Sequence, residues 1–254
     1  MMNENRNHLL RFLEKGMRFD GRKLDEFRPI TVEYGISRNA EGSARVKFGN
    51  TELFAGVKMA VEKPYPDTPE DGNLMVGAEL SPMSSPLFES GPPSAKAVEL
   101  ARVVDRGIRE SKAIDTRKLC ITRGEKVWNI AIDLNTVNAD GNLIDSCALA
   151  ALAAMKDAKM PSYDGVALDY KKKTEPLPLR KVPIAVTVCK VGKFFIVDPT
   201  AEEETMIEAR LTVTSSEGKL CALQKGDVAP LSIEDVDQMV TLGMKKAKEL
   251  AKYL

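Results

Sequence analysis

The most regular feature of the chain is an alternation of hydrophobic and polar positions, which is typical of strands with one buried face. In the first part of the chain this pattern predicts strands over 30–36, 43–48, 51–61, 74–80 and 127–135. The turn-forming pair Gly49-Asn50 joins the second and third of them into a hairpin, so an antiparallel sheet is expected. The pattern resumes later and predicts further strands over 165–170, 182–190, 193–198, 209–215 and 219–224.

Other segments have the 3.6-residue periodicity of helices. A short helix is predicted over 9–16, and a longer one begins after the capping residue Ser94 and runs to about Ser111. A closing helix begins after Ser232, where Asp235 takes the place of the Glu of a capping box. Loop residues 81–93, between a strand and the second helix, are long enough to suggest a functional role.

One more helix is rich in alanine and follows the turn residues 140–142. We expect Asp145 or Ser146 to cap it and Pro161 to mark its end. Because it is apolar nearly all round, this helix is predicted to be buried on several sides. Each block of strands is thus followed by a helix, which predicts an α+β chain. Without a linker between the blocks, we expect one domain over 1–254 with two similar halves, about 1–160 and 161–254.

Composition restricts the possible functions. With 43% hydrophobic residues among its 254, the chain can bury a large core. Its 37 basic and 37 acidic side chains cancel, so it has no net positive charge to attract a polyanion. Its four cysteines form no paired motif, which favours free thiols in a reducing, cytoplasmic location. No apolar run approaches the length of about 20 residues that spans a bilayer, so we expect no membrane segment.

Acid–base chemistry has to rest on carboxylates, because the chain has a single histidine, His8, near one end. No cofactor or metal site is expected. The turn before the alanine-rich helix is a natural place for an anion, since free amides point outward at a helix N-terminus. Here, however, Asn142, Leu143 and Ile144 offer no phosphate-binding side chain, and Asp145 adds a negative charge. We therefore expect a capped core helix and no phosphate site.

The helix after Ser94 is strongly amphipathic, with Arg102, Arg106 and Arg109 opposite its apolar face. One interpretation is a solvated face held by pairs with neighbouring acids. The other is a contact with the phosphodiester backbone of RNA, because guanidinium groups match phosphate in bidentate geometry. The sequence leaves both open.

Several of these segments, taken in order, resemble the RNase PH family. They are Asp20-Gly21-Arg22, the hairpin over 42–61, the loop and helix over 81–110, Asp140-Gly141 with its alanine-rich helix, and residues 197–204. The resemblance implies an RNase PH fold, in which duplicated βαβ-type halves combine mixed sheets and packed helices. Active members of the family use inorganic phosphate to shorten RNA from its 3′ end.

The resemblance also implies vestigial active-site positions. The Gly-Thr-Arg or Gly-Ser-Arg phosphate grip of active members falls on Asn142, Leu143 and Ile144, and their two catalytic aspartates fall on Asp198 and Glu204. The chain is most similar to the non-catalytic RNase PH-type subunits of archaeal exosome rings. No catalytic residue is therefore expected, and the RNA-binding candidates are Arg109 and Arg106, ahead of Arg102.

Such a subunit implies particular partners: a catalytic sister chain in a hexameric ring built as a trimer of heterodimers, RNA-binding cap subunits, and single-stranded RNA. Two other functions remain open at this stage. The chain could be an active phosphorolytic exoribonuclease that uses Asp198 and Glu204, or a stand-alone RNA-binding protein. The missing phosphate grip argues against the first, and the balanced charge argues against the second.

Overall fold

A computed structural model describes residues 2–254 of the chain, with side chains from residue 6 onward. The first sheet has six strands in the order β1-β2-β3-β6-β4, and β5 also pairs with β6. Only β4 is parallel to its neighbour; the other pairs are antiparallel. The strands are β1 Ile30–Tyr34, β2 Gly42–Phe48, β3 Thr51–Glu62, β4 Asn73–Glu79, β5 Cys120–Thr122 and β6 Lys126–Asn138.

The second sheet is antiparallel, with the order β10-β9-β11-β12. A separate two-stranded ribbon, β7 and β8, precedes it. The strands are β7 Lys159–Tyr163, β8 Leu168–Pro176, β9 Ile184–Val191, β10 Phe194–Val197, β11 Ala209–Ser216 and β12 Lys219–Gly226. The α-helices are α1 Met2–Glu14, α2 Ala95–Glu110, α3 Leu143–Asp157, α4 Ala201–Glu204 and α5 Ile233–Leu250. No described helix is both long enough and apolar enough to cross a bilayer.

Helices α2 and α3 lie between the two sheets. A Cβ atom on Gly107 of α2 would lie 3.4 Å from the side chain of Thr214 on β11, and one on Gly243 of α5 would lie 2.8 Å from that of Val213. Because adjacent residues of a strand face opposite sides of the sheet, α2 and α5 cover opposite faces of the second sheet. One hydrophobic core includes residues of both sheets and of α2, α3 and α5, which supports our proposal of a single domain.

The alanine-rich helix α3 is buried along almost its whole length, as its composition predicts. It passes so close to β2 that a Cβ on Gly42 would lie 2.3 Å from the carbonyl oxygen of Ala154. Its predicted ends are wrong. The helix begins after Asn142, a left-handed residue with φ of 53° whose side chain does not cap it, and it ends at Asp157. Pro161 instead lies in β7.

Other predicted boundaries also change. The first helix is longer than predicted and packs onto the second half, where Leu9 and Leu13 form a buried cluster with Cys189, Val191 and Ile196. The strand predicted over 165–170 is displaced to β8, because a ribbon exposed on both faces has no alternating pattern to locate it. By contrast, the caps at Ser94 and Ser232 are confirmed, the second as a capping box with Asp235.

Asp145 joins α3 to the second sheet from within the core. Its carboxyl group is completely buried, and Oδ1 accepts a hydrogen bond of 2.8 Å from the backbone N–H of Thr187 on β9. Among the described residues, Oδ2 has no hydrogen-bond partner. Burial raises the pKa of Asp145 to about 7, and the nearby negative charge of Asp198 adds to this effect. Asp145 is therefore a structural acid, not the cap of the helix.

We predict that Asp145→Asn changes how stability depends on pH. The pKa of Asp145 is about 7 in the folded chain and has the ordinary value of 3.8 in the unfolded chain. Between these values the unfolded chain loses the proton that the folded chain keeps, so the free energy of unfolding is highest below pH 4 and falls as the pH rises to 7. Relative to the variant, the wild-type free energy of unfolding should fall by about 1.4 kcal/mol per pH unit at most. Urea unfolding between pH 4 and pH 8 measures this difference. Asp237→Asn, on the exposed side of α5, is the control for loss of a carboxylate; equal pH dependence in both variants would contradict the prediction.

Candidate functional site

Asp198 lies at the centre of the candidate site, immediately after β10. Its backbone is left-handed, with φ of 50°, and its side chain is completely buried. Among residues other than glycine, Asp and Asn adopt this conformation most readily. The contacts of the side chain and the backbone carbonyl then hold Asp198 in place.

Two arginines and one amide surround the carboxylate. Arg28 donates to Oδ1 at 2.7 Å and, from both its backbone and side chain, to Oδ2 at 2.7 and 3.0 Å. Arg22 donates to Oδ2 at 3.0 Å, and the side-chain amide of Asn142 donates to Oδ1 at 2.9 Å. Both oxygens are thus fully used by groups of the protein itself.

The backbone of Asp198 is held by arginines as well. Its carbonyl oxygen accepts bonds from Arg18 at 2.8 Å and Arg22 at 3.1 Å. Arg18 is itself buried and forms an ion pair with the buried Glu203 of α4. Residues 18–28, the end of β10 and the start of α4 are consequently fixed to one another.

Burial by itself would raise the pKa of Asp198, but the hydrogen bonds and charge of Arg28 outweigh it and hold the pKa below its ordinary value. The group is therefore an ionised carboxylate at neutral pH. With five donors on its two oxygens, it has no lone pair directed toward an incoming substrate or metal ion. The geometry describes a structural anion, not an available general acid or base.

Glu204 accepts a hydrogen bond from the free backbone amide at the start of α3. Its Oε1 accepts a hydrogen bond of 2.8 Å from the backbone N–H of Asn142, and its Oε2 lies 3.8 Å from the Nζ of Lys96. A carboxylate of the chain thus sits where the N-terminus of a helix would otherwise attract an external anion. The sequence interpretation assigned this charge to Asp145, which is wrong, because Asp145 points to Thr187 on β9.

A cavity of about 330 Å³ lies beside these residues. The structure brings Asn142, Leu143, Ile144 and Glu204 together on its wall, while Asp198 is buried behind Asn142. Arg210 also faces the cavity but is paired with Glu99 at 2.7 Å. The other lining residues are Lys96, Glu99, Leu100, Thr187, Cys189, Pro199, Ile207 and Asp227. The walls of the cavity therefore carry positive and negative side chains.

The three arginines of α2 lie on one exposed face, away from the core, and line a second, shallow cleft. Arg109 is engaged there: its Nε lies 2.8 Å from Asp105, and it donates to the carbonyl oxygen of Leu74. Arg102 and Arg106 have no ion pair or hydrogen bond in the part of the chain whose side chains are described. The two arginines with free guanidinium groups are therefore Arg102 and Arg106.

Sequence reasoning missed the arginines that surround Asp198. Arg22 belongs to the motif Asp20-Gly21-Arg22, but Arg18 and Arg28 lie among other charged residues in a segment without periodicity. Their partners are 170 or more positions away in sequence. Burial of Arg18 and Arg28 is visible only in the folded structure.

Comparison with known proteins finds matches to family models and to curated relatives over most of the chain. The model of the 3′ exoribonuclease family, domain 1, matches residues 26–161, and the model of domain 2 matches residues 181–246. The exosome complex component Rrp42 of Methanothermobacter thermautotrophicus is 45% identical over 93% of this chain and 89% of its own length. The same component of Pyrococcus furiosus is 41% identical over 98% of this chain and 92% of its own length.

Two solved structures share the fold. A chain of the Archaeoglobus fulgidus exosome with RNA bound to the active site aligns with a TM-score of 0.92 and 41% identity, covering 99% of this chain and 98% of that chain. A chain of an archaeal exosome core aligns with a TM-score of 0.87 and 38% identity, covering 99% and 97%. These matches confirm the α+β RNase PH fold expected from the sequence. The chain belongs to the RNase PH family of 3′ exoribonucleases.

Proposed function

We propose that the chain is a non-catalytic subunit of an exosome-type ring that degrades RNA from its 3′ end by phosphorolysis. The observation that carries the proposal is the use of both candidate acids in structural contacts. Asp198 is enclosed by Arg22, Arg28 and Asn142, and Glu204 fills the amide at the start of α3. Asp198 has no free oxygen to act on a phosphate, and the positions of the phosphate grip, Asn142, Leu143 and Ile144, offer no charged side chain to hold one.

The relatives give the proposal its context. The curated relatives are described as exosome components, and one solved neighbour is an exosome with RNA at its active site. By this analogy, the partners are a catalytic RNase PH-type sister chain in a hexameric ring of three heterodimers, RNA-binding cap subunits and single-stranded RNA. A cytoplasmic location agrees with the free thiols of Cys147 and Cys189, which are buried in the core.

Two other functions are less well supported. An active exoribonuclease would need Asp198 and Glu204 free for catalysis, and a metal ion at Asp198 would have to displace arginines that already neutralise the carboxylate. A stand-alone RNA-binding protein would need an excess of basic side chains, whereas this chain has equal numbers of acidic and basic residues. In a ring, by contrast, the chain needs to offer only a local basic surface.

The arginines of α2 supply that surface in the proposal. Arg102 and Arg106 are the best placed, because their guanidinium groups are exposed and unengaged among the described residues. Arg109 remains a candidate, although it would have to give up Asp105 or the carbonyl of Leu74 to bind a phosphate with all its donors. We propose that this stripe holds RNA near the active site of the sister chain.

We predict that the isolated chain releases no nucleoside diphosphate from RNA in the presence of phosphate and magnesium, because its acids and its helix amide are occupied. Activity should appear when the sister chain is added and a particle of about six subunits forms. Light scattering and a phosphorolysis assay on the same samples measure both events, with each chain alone as control. Robust phosphorolysis by this chain alone would contradict the proposal.

We also predict that the double variant Arg102→Glu and Arg106→Glu weakens RNA binding by the ring without dissociating it. Each lost phosphate contact should cost on the order of 1 kcal/mol, about fivefold in affinity, and should reduce the salt dependence of binding. Fluorescence anisotropy over a range of salt concentrations measures both effects. Arg123→Glu is the control for charge reversal, since Arg123 is also exposed but lies outside α2 and pairs with Glu70. Equal effects of the double variant and the control would show that the stripe is only a solvated face.

A further inference from the structure

Strand β4 forms an edge of the first sheet. It pairs with β6 on one side, and no other described strand pairs with it. The outer side of such a strand presents a row of backbone N–H and C=O groups that can pair with another chain. In this protein, other residues of the chain bind some of these outward groups, and their contacts show which residues of β4 direct their backbone groups outward.

Three contacts fix the direction of the backbone groups. The N–H of Gly72 donates to the carbonyl of Thr116 at 2.9 Å, and the carbonyl of Leu74 accepts from Arg109; both partners lie outside the β4–β6 ladder. The carbonyl of Glu79 instead accepts from Thr136 of β6 at 3.3 Å. Because the groups of successive residues point to alternate sides, Leu74, Val76 and Ala78 have their N–H and C=O groups on the outer edge.

The uncovered part of the edge is therefore short. Arg109 occupies the carbonyl of Leu74, whereas the outward groups of Val76 and Ala78 have no partner among the described residues. The side chains of Val76 and Ala78 pack against the core, which holds this stretch in place. On the other face of the sheet, Met75 is 52% exposed, an apolar surface beside the free edge. A fixed, partly apolar edge of this kind is a template for an extended polypeptide.

We infer that the outer edge of β4 at Val76–Ala78 accepts an extended segment of the neighbouring subunit in the ring, by addition of a strand. The inference rests on the proposed function for the identity of the partner. Arg109 connects the edge to the arginine stripe of α2, so the edge and the stripe share one side of the molecule. If the stripe faces the sister chain, the edge does too. Backbone N–H and C=O groups in strand spacing are matched by a polypeptide backbone, so the occupant is a protein segment.

The direct test is amide hydrogen exchange, resolved to single residues, on the isolated chain and on the assembled ring. The outward amides of Val76 and Ala78 should exchange at least tenfold more slowly in the ring. The inward amide of Gly77 is the internal control, since it pairs with β6 in both states. Unchanged exchange at Val76 and Ala78 in an intact ring would overturn the inference while leaving the proposed function in place.

A pair of variants at one position gives an independent test. Ala78→Pro removes only an outward N–H, which an edge strand tolerates, whereas Ala78→Val retains it. We expect Ala78→Pro to weaken assembly by tenfold or more relative to Ala78→Val, with both variants folded by circular dichroism. Equal assembly of the two would contradict the inference; if Ala78→Pro fails to fold, the exchange measurement on the wild-type ring decides.

Two further outcomes are informative. Protection of Val76 and Ala78 in the isolated chain that disappears on dilution would show that a second copy of this chain is the occupant, which contradicts the assignment to the sister subunit. A wild-type chain that forms no ring with its sister would instead contradict the proposed function, and the inference would fall with it.

Discussion

The ion-pair cluster around Asp198 is the interaction on which the rest of the site depends. Arg18, Arg22 and Arg28 come from the segment before the first strand, and they meet a carboxylate and a backbone carbonyl that follow β10. In a buried setting these charges are stable only together, because removal of one partner leaves the others unpaired at a cost of about 3–5 kcal/mol. The cluster also positions Asn142, whose side-chain amide donates to Asp198.

Under the proposed function, the cluster also explains how the family fold can be kept in a subunit that does no catalysis. A catalytic carboxylate must be free to exchange a proton or hold a metal ion, whereas Asp198 has every oxygen engaged. Glu204 is engaged through one oxygen, which accepts the N–H of Asn142 that an anion would otherwise use. The same residues cannot both tie the two halves together and act on a substrate, and here the structural role is the one that the geometry supports.

Local patterns predicted most of the fold. Alternation located every strand of the two sheets except the short β5, and capping residues such as Ser94 and Ser232 located the starts of α2 and α5. The predicted ends of elements were wrong where tertiary contacts determine them. Helix α3 begins directly after the predicted turn residues 140–142, but Asn142 is held by Asp198 and Glu204, both far away in sequence, so the sequence could not show that Asp145 and Ser146 are not its caps.

The candidate site was predictable only in part. Resemblance to the family located Asn142, Leu143, Ile144 and Glu204, which the structure places on one cavity wall. It did not indicate that arginines of residues 18–28 would enclose Asp198, because a charged segment without periodicity is typical of a surface loop. Nor could spacing on α2 distinguish Arg109, which binds the edge of β4, from the unengaged Arg102 and Arg106.

The central claim is that this chain contributes no acid to the reaction, and the most direct test is Glu204→Gln in the assembled ring. The variant keeps an oxygen that can accept the N–H of Asn142 but lacks the charge and the acidity of the native group. We predict that the rate of phosphorolysis by the ring is the same as with the wild-type chain, with loss of the sister chain's catalytic acid as the positive control. A reduction of a hundredfold or more on Glu204→Gln, with the ring intact, would contradict the account.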